Sequence, residues 1–581
     1  MATEHLLEEF PPVSTAEWEA AIARDLKGAD YDKKLIWRAC DLAVKPYYRA
    51  ADLEGLACLD AAPGEFPFRR GARAAGDWRI REEIEAADAA AANRAARQAV
   101  AAGTEEIAFA NLQVQNSAEH RVLIENLDGI AIHLARANER TIRLLLERLR
   151  MKPRTAEIST GCDALESIEF AAEIVAAAPP GFVPFTIHGE GFDDAGATAA
   201  QEIGFALAAG IDFLAAAEEC GAEIGRAAAA IEFSLAVGAN FFFQIAKLRA
   251  FRTLWARAVE SFGGAPDTCK AQIAARTTRW NKTVYDPHVN ILRATTEAMA
   301  AALGGADSVT VTPFDACYEQ PGDASRRLAR NTQLLLKHEA SLGRVADASG
   351  GSYLLESLTD LVAGEGWKRM QEIEARGGFR KAQADGTIAR ALEQSRAARE
   401  KAAASRRRVF VGTNQFADPA ERALDRVDSE RIGAGRRGAR LYEELRLRTE
   451  RHVAAGGGKP RVLLAEIGDA KMRMARSNFA ADFFACAGFE TIARRFKKAA
   501  EIAAADGDLI ALCSSDEEYA DQAAELMPAL KAIGRSTPVI VAGNPESAGQ
   551  LTAAGIADFV HWRSNPVEVL TKWQERLGIK S

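Results

Sequence analysis

Between Phe185 and Trp255, short β-branched or aromatic runs alternate with Ala-rich helical periods, which restricts the chain to parallel strands joined by helical crossovers. Within this stretch residues 183–187, 211–214 and 230–235 read as strands. Carried along the chain, the same pattern gives eight strands, at 106–110, 129–134, 155–159, 183–188, 211–214, 230–235, 270–277 and 308–312. Helical periods follow at 137–150, 165–178, 199–209, 240–262, 289–303 and 326–343. Eight alternations over about 240 residues match a closed (β/α)8 TIM barrel. An open doubly wound sheet is the alternative, disfavoured because it usually has fewer strands.

At 581 residues the chain exceeds what one core supports and divides into a large and a small body with connectors. Its 48% hydrophobic content and net charge of −8 give it no basic field for nucleic acid. The eight cysteines stand singly, with no CxxC pair and no histidine at ligand spacing. That pattern points to reduced thiols in a cytoplasmic setting and to no metal site. The acidic N-terminus lacks a positively charged start followed by an apolar core, so no secretory signal is expected. Residues 227–245, the most apolar stretch, are interrupted by Glu232, Asn240 and Gln244, as in a buried strand and helix rather than a membrane span.

Residues 1–55 read as an arm whose helix, 15–26, carries Trp18, Ile22 and Leu26 on one face and needs another body to pack on. A Gly-, Pro- and Arg-rich loop at 64–80 leads to a helix at 84–102. The barrel occupies 56–345, a charged helical linker 346–457 and a last domain 458–581. In the linker, Gly350 and Gly351 mark a turn needing positive φ. Arg406, Arg407, Arg408 and the GRRGAR run at 435–440 are solvated faces, or alternatively contacts for phosphates or an acidic partner. Five apolar runs in the last domain (RVLLAEIG, GFETIAR, DLIALCSS, TPVIVAG, DFVHW) alternate with helices and predict a five-stranded flavodoxin-like sheet. Its ligand edge falls at 467–474, Ser514, Ser515 and Gly543. In the barrel the site candidates follow each run: Asn111, Gln113, Thr160, His188, Glu190, Glu218, Gln272, Arg276, Thr278 and Phe314.

AGATA at Ala195–Ala199 and ANFFFQIAKLRAFRTLWA at Ala239–Ala256 resemble methylmalonyl-CoA mutase family sequence, as do KPYYRAADL (45–53), NTQLLLKHE (331–339) and DASGGSYLLE (347–356). The resemblance covers nearly the whole chain. It implies an acyl-CoA mutase barrel, a cobalamin-binding-type small domain, an N-terminal arm that wraps a partner subunit, and adenosylcobalamin as the family's cofactor. In the family a D-x-H-x-x-G loop supplies the imidazole beneath cobalt. The corresponding IGDAKMRMARSN (467–478) keeps Gly468 and Asp469 but has neither the histidine nor the motif glycine. Lys471 and Arg473 are protonated at neutral pH, and Met472 and Met474 offer only a weak sulfur. His561, the one histidine of the small domain, follows a late strand.

Alignment on AGATA puts Gly191 where the family has a histidine and Glu190 where it has a tyrosine, with His188 three residues earlier. The family's R-G-P-x-x-T-M-Y segment is RGARAAGDW here, Arg70–Trp78, without the tyrosine. With three reactive positions absent, the resemblance implies a noncatalytic small subunit of a heterodimer. This chain would contribute no catalytic residue and bind no cofactor or metal; adenosylcobalamin and acyl-CoA would be held by the large catalytic partner. An active mutase with unusual cobalamin ligation and a cobalamin or CoA carrier are the alternatives. Such losses are cheap if apolar strand positions fill the barrel's interior.

Overall fold

The computed structural model describes residues 13–580 except 40–41, 58, 153, 167, 429–430 and 433–435. The first twelve residues of the arm and Gly435 of the GRRGAR run thus lie outside the described residues. Eight parallel strands close a barrel, at Arg79–Ile84, Glu106–Phe109, Ala131–Leu134, Ile158–Thr160, 182–188, Ile231–Val237, Gln272–Thr277 and Ser308–Thr310. The fifth strand makes the closure. Pro184 has no N–H for the ladder, so Phe182–Val183 pairs with the fourth strand and Phe185–His188 with the sixth. Each strand is followed by a helix, from Ala89–Ala101 to Asp323–Leu334, and the apolar outer face of the strands is buried under this ring. One of these helices, Ala199–Glu219, is long and apolar enough to cross a membrane; here it is largely buried in the protein.

The structure corrects three sequence expectations. Residues 211–214 are not a strand; they continue the helix Ala199–Glu219. Gly210, which reads as the end of that helix, has a packing role, since a Cβ there would lie 2.5 Å from the Trp255 ring. The missing strand is Arg79–Ile84, part of which reads as loop. Finally, the interior is not apolar. Ile80 and Ile84 face the helices while Arg79, Arg81 and Glu83 alternate with them and point inward. Arg81 meets Glu232 at 2.6 and 3.0 Å and Glu106 at 2.5 Å, and His133 bonds Ser159 at 2.8 Å. All of these side chains are buried. Burial and the Arg81 charge push His133 down to about 3, so it is neutral among them.

Helix Tyr353–Glu374 of the linker packs on Ala199–Glu219 and on Phe241–Ser261. Before it, Gly351 turns at φ +80°, as expected, whereas Gly350 does not have a positive φ; a Cβ there would lie 2.1 Å from the end of the Arg70 side chain. The last domain is a five-stranded parallel sheet in the order second, first, third, fourth, fifth, the flavodoxin-like arrangement, with an apolar core on each face. Helix Arg440–Ala454 joins it to the barrel. Its Glu443 and Glu450 accept from Val284 N–H and the Tyr285 hydroxyl, and Gln574 of the last helix donates to Leu445 and Thr449.

Candidate functional site

The C-terminal ends of the barrel strands carry a charged rim. His188 ends the fifth strand and donates from Nδ1 to Glu190 (3.0 Å) and from Nε2 to the Gly161 carbonyl (3.1 Å). Two acceptors require the protonated ring. Burial opposes that charge, but the Glu190 bond prevails and lifts His188 to about 9, while His188 in turn holds the partly buried Glu190 carboxyl low. Both ring nitrogens are thus engaged by acceptors of the protein itself. Across the mouth Arg276 forms a two-pronged pair with Glu83 at 2.6 and 2.8 Å. Arg276 and Glu83 border a cavity of about 570 Å³ lined also by Arg279, Lys282 and Thr312. Below it the axis is occupied by the Arg81, Glu106, Glu232 and His133 cluster.

Gly191 lies beside this rim in the short helix Gly189–Asp194, and a Cβ there would meet open space. The Arg70–Trp78 segment precedes the first strand and therefore lies at the opposite end, so the structure does not bring it near Gly191. Its Gly76 abuts Val345, where a Cβ would be 2.3 Å from the carbonyl oxygen, and the Trp78 indole donates to Gln333 at 3.2 Å. Other candidates take up structural duties. Thr160 donates to the Pro184 carbonyl and Thr278 to Asp193, while Asn111 ties down Ala86. Phe314 stacks near His288, and Gln113 and Glu218 are exposed. Gln272 begins its strand and so falls at the far end, bonded to Glu157.

In the small domain the strand ends bring Gly468, Ser514, Ser515 and Gly543 to one edge, as the alternation predicts. Glu518 occupies that edge. Its carboxylate accepts from Ser514 Oγ (2.7 Å), Ser515 Oγ (2.9 Å) and the Asp469 N–H (3.1 Å). Those bonds, the Ser514 hydroxyl first, keep its carboxyl below the ordinary value. Asp469 caps helix Ala470–Ala485, accepting from the N–H groups of Lys471 and Met472. Lys471, Met472, Arg473 and Met474 are thereby helical, and Arg473 donates to the Gly468 carbonyl at 2.7 Å. Gly543 abuts Asp516, which pairs with Arg476 at 3.0 Å. His561 accepts from the Arg563 N–H, and burial holds its ring below the ordinary value. Sequence reasoning missed Glu518. Its signal was a carboxylate shortly after the Ser514–Ser515 pair, at the N-cap position of helix Tyr519–Ala532.

Gly468 turns at φ +77°, and a Cβ would lie 2.1 Å from Glu518 Oε2. Gly468→Ala is therefore expected to destabilise the small domain by about 1–3 kcal/mol, read as a lower urea midpoint at unchanged slope. An unchanged midpoint would mean that this edge is soft.

The most family-like stretches have a visible reason. Thr198 and Gln201 of AGATAAQ form a capping box for helix Ala199–Glu219. One turn on, Glu202 pairs with Lys247 of QIAKLRA at 2.6 Å, and both bond the backbone of Ala236 at the end of the sixth strand.

The family model described as Methylmalonyl-CoA mutase matches residues 38–116 and 155–456, the barrel and the linker that follows it. The chain belongs to this family. More narrowly, it is similar over its length to proteins named as small subunits: 36% identical to the methylmalonyl-CoA mutase small subunit of Porphyromonas gingivalis (strain ATCC BAA-308 / W83), over 99% of both chains, and 33% identical to that of Streptomyces virginiae, over 99% of this chain and 98% of the other. To the methylmalonyl-CoA mutase large subunit of Streptomyces virginiae it is 29% identical, over 78% of this chain and 69% of that one.

Proposed function

We propose that this chain is the noncatalytic small subunit of a cytoplasmic heterodimeric methylmalonyl-CoA mutase, the large subunit of which interconverts methylmalonyl-CoA and succinyl-CoA. The cofactor, adenosylcobalamin, would supply radical chemistry in that partner. The observation that carries this reading is the small-domain edge. A cobalt ligand there needs a neutral imidazole held by the loop aspartate. In this chain Asp469 is spent on a helix cap, the neighbouring side chains are Lys471 and Met472, and Glu518 fills the space between the strand ends. These residues do not fit the group. Two features of the barrel support the same reading: His188 is bonded on both nitrogens, and the ion cluster around Arg81 occupies the barrel's interior. The chain's contribution is then a folded surface that supports its sister.

Native mass spectrometry of the complex, with corrinoid counted per chain, tests this. The expected result is a pair of this chain with a longer homologue that carries the D-x-H-x-x-G loop, and one cobalamin per pair. A homodimer of this chain that takes up cobalamin and rearranges an acyl-CoA would defeat it.

A further inference from the structure

The second strand of the small domain, Glu490–Arg495, is the outermost of its sheet and pairs on one side only, with the first strand, Arg461–Glu466. All of its residues are at least partly exposed, whereas the first, third and fourth strands are largely buried. Sheet edges are commonly blunted by a bulge, a proline or a covering segment, because a bare row of N–H and C=O groups invites another strand. This edge has none of the three. Its register against the first strand is unbroken from Glu490 to Arg495, no proline interrupts it, and its exposure leaves it open along its length.

Backbone phase and charge together say what fits there. Glu490 N–H donates to the Pro460 carbonyl and Phe496 N–H to that of Glu466, both towards the first strand. Even-numbered residues therefore face the first strand, and the N–H and C=O groups of Thr491, Ala493 and Arg495 face outward. An antiparallel newcomer must set its own outward-facing residues against these, so the possible registers differ by steps of two residues. On the sheet face shared by the even-numbered residues, Glu490, Ile492 and Arg494 follow one another. Glu490 and Arg494 are exposed and make no ion pair among the described residues. A second copy of the strand, turned about a two-fold axis at Ile492, puts Glu490 opposite Arg494 and Arg494 opposite Glu490. Ile492, 37% exposed, then meets its own counterpart. These are the positions without a shared hydrogen bond, where side chains come closest and opposite charges attract. Thr491 and Ala493 meanwhile exchange backbone hydrogen bonds with Ala493 and Thr491 of the second copy. The next register sets Arg494 against Ile492 and Glu490 against the buried Phe496, and loses both matches. Because the strands run antiparallel, the basic run at 494–498 of one copy lies away from that of the other.

We propose that Glu490–Arg495 is a self-association edge, at which two copies of this chain join their small-domain sheets into one continuous sheet. The pairing uses no residue of the N-terminal arm or the barrel. It therefore stands apart from the assignment of the chain as a small subunit, and in that setting it joins two heterodimers.

Sedimentation velocity of the full chain over a concentration series is the test. The expected result is a mass that rises towards two chains across about 1–100 μM, the range of a small interface. Arg494→Glu sets Glu490 against a second carboxylate and should raise the dissociation constant about tenfold, as should Glu490→Arg. Combining the two restores opposite charges and should bring it back to within about threefold of the parent. Ile492→Lys sets two ammonium groups together on the axis and should leave a single chain throughout. The three side chains are exposed, and an unchanged urea midpoint confirms that each variant is folded. Arg563→Glu, after the fifth strand at the opposite edge of the sheet, should change nothing. A parent that stays a single chain, an Ile492→Lys variant that associates as the parent does, a combined variant that is not rescued, or a loss as large from Arg563→Glu as from Arg494→Glu would each overturn the proposal.

Discussion

Glu356→Gln is expected to lower the unfolding free energy by about 3–5 kcal/mol, because it removes one anion from a buried ionic cluster and leaves its cations facing each other. Glu356 is fully buried and joined to Arg249 at 2.8 Å, to Arg69 at 3.0 Å and to the Gly351 N–H at 3.0 Å. Asp347 completes the cluster, 3.0 Å from Arg249 and 3.1 Å from Arg70. Three segments distant in sequence meet there: the loop before the first strand, the helix after the sixth, and the start of the linker. Burial works against the Glu356 charge, but the Arg249 guanidinium outweighs it and holds the carboxyl at about 2, against an ordinary 4.5. A carboxyl depressed in the folded state stabilises fully above its unfolded value. Its contribution therefore falls away as pH drops from 4.5 towards 2, and the acid limb of the stability curve should flatten in the variant. Urea unfolding at pH 7 and pH 3 measures both effects. A variant within 1 kcal/mol of the parent at pH 7 would show that the cluster contributes little net stability.

Lys247→Met should cost a similar amount, about 3–5 kcal/mol, since it strands Glu202 in a site where the two side chains are 1% and 2% exposed. Burial already raises the Glu202 carboxyl to about 7 with Lys247 beside it. Without that cation the carboxyl takes up a proton more readily. A group raised in the folded state stabilises at low pH and loses its contribution as pH rises through the folded value, so the variant should be most impaired above neutrality. Adding Glu202→Gln should recover part of the loss, with a coupling of about 1–3 kcal/mol in a double-mutant cycle. Purely additive effects would remove the pair from the account of why AGATAAQE and QIAKLRA stand as they do.

Much of the architecture was legible because periodicity reports which face of an element is buried. Helix Val289–Leu303 has the bounds expected of it, and the five strands of the small domain fall on the five apolar runs. Residues 211–214 failed for a local reason. IDFL is apolar enough for either state, and Gly210 beside it suggests a break. Its need for a hydrogen in place of a side chain comes from Trp255, 45 residues on. Arg79–Ile84 failed for the converse reason. RIREEI alternates as a strand should, but with charges on one face, and nothing local says that the charged face points into a barrel and meets Glu232.

The sequence by itself determined the class of fold and the family, and it places no histidine in 467–478, a glycine at 191 and no tyrosine in 70–78, because each is a matter of spacing or of which side chain occupies a position. Only the tertiary structure decided what stands in their place. Glu518 over Gly468 and Arg81 across the barrel axis are pairings between residues 50 to 151 positions apart. Electrostatic and hydrogen-bonding energies depend on distances of a few ångströms, and those distances exist only once the chain has closed on itself.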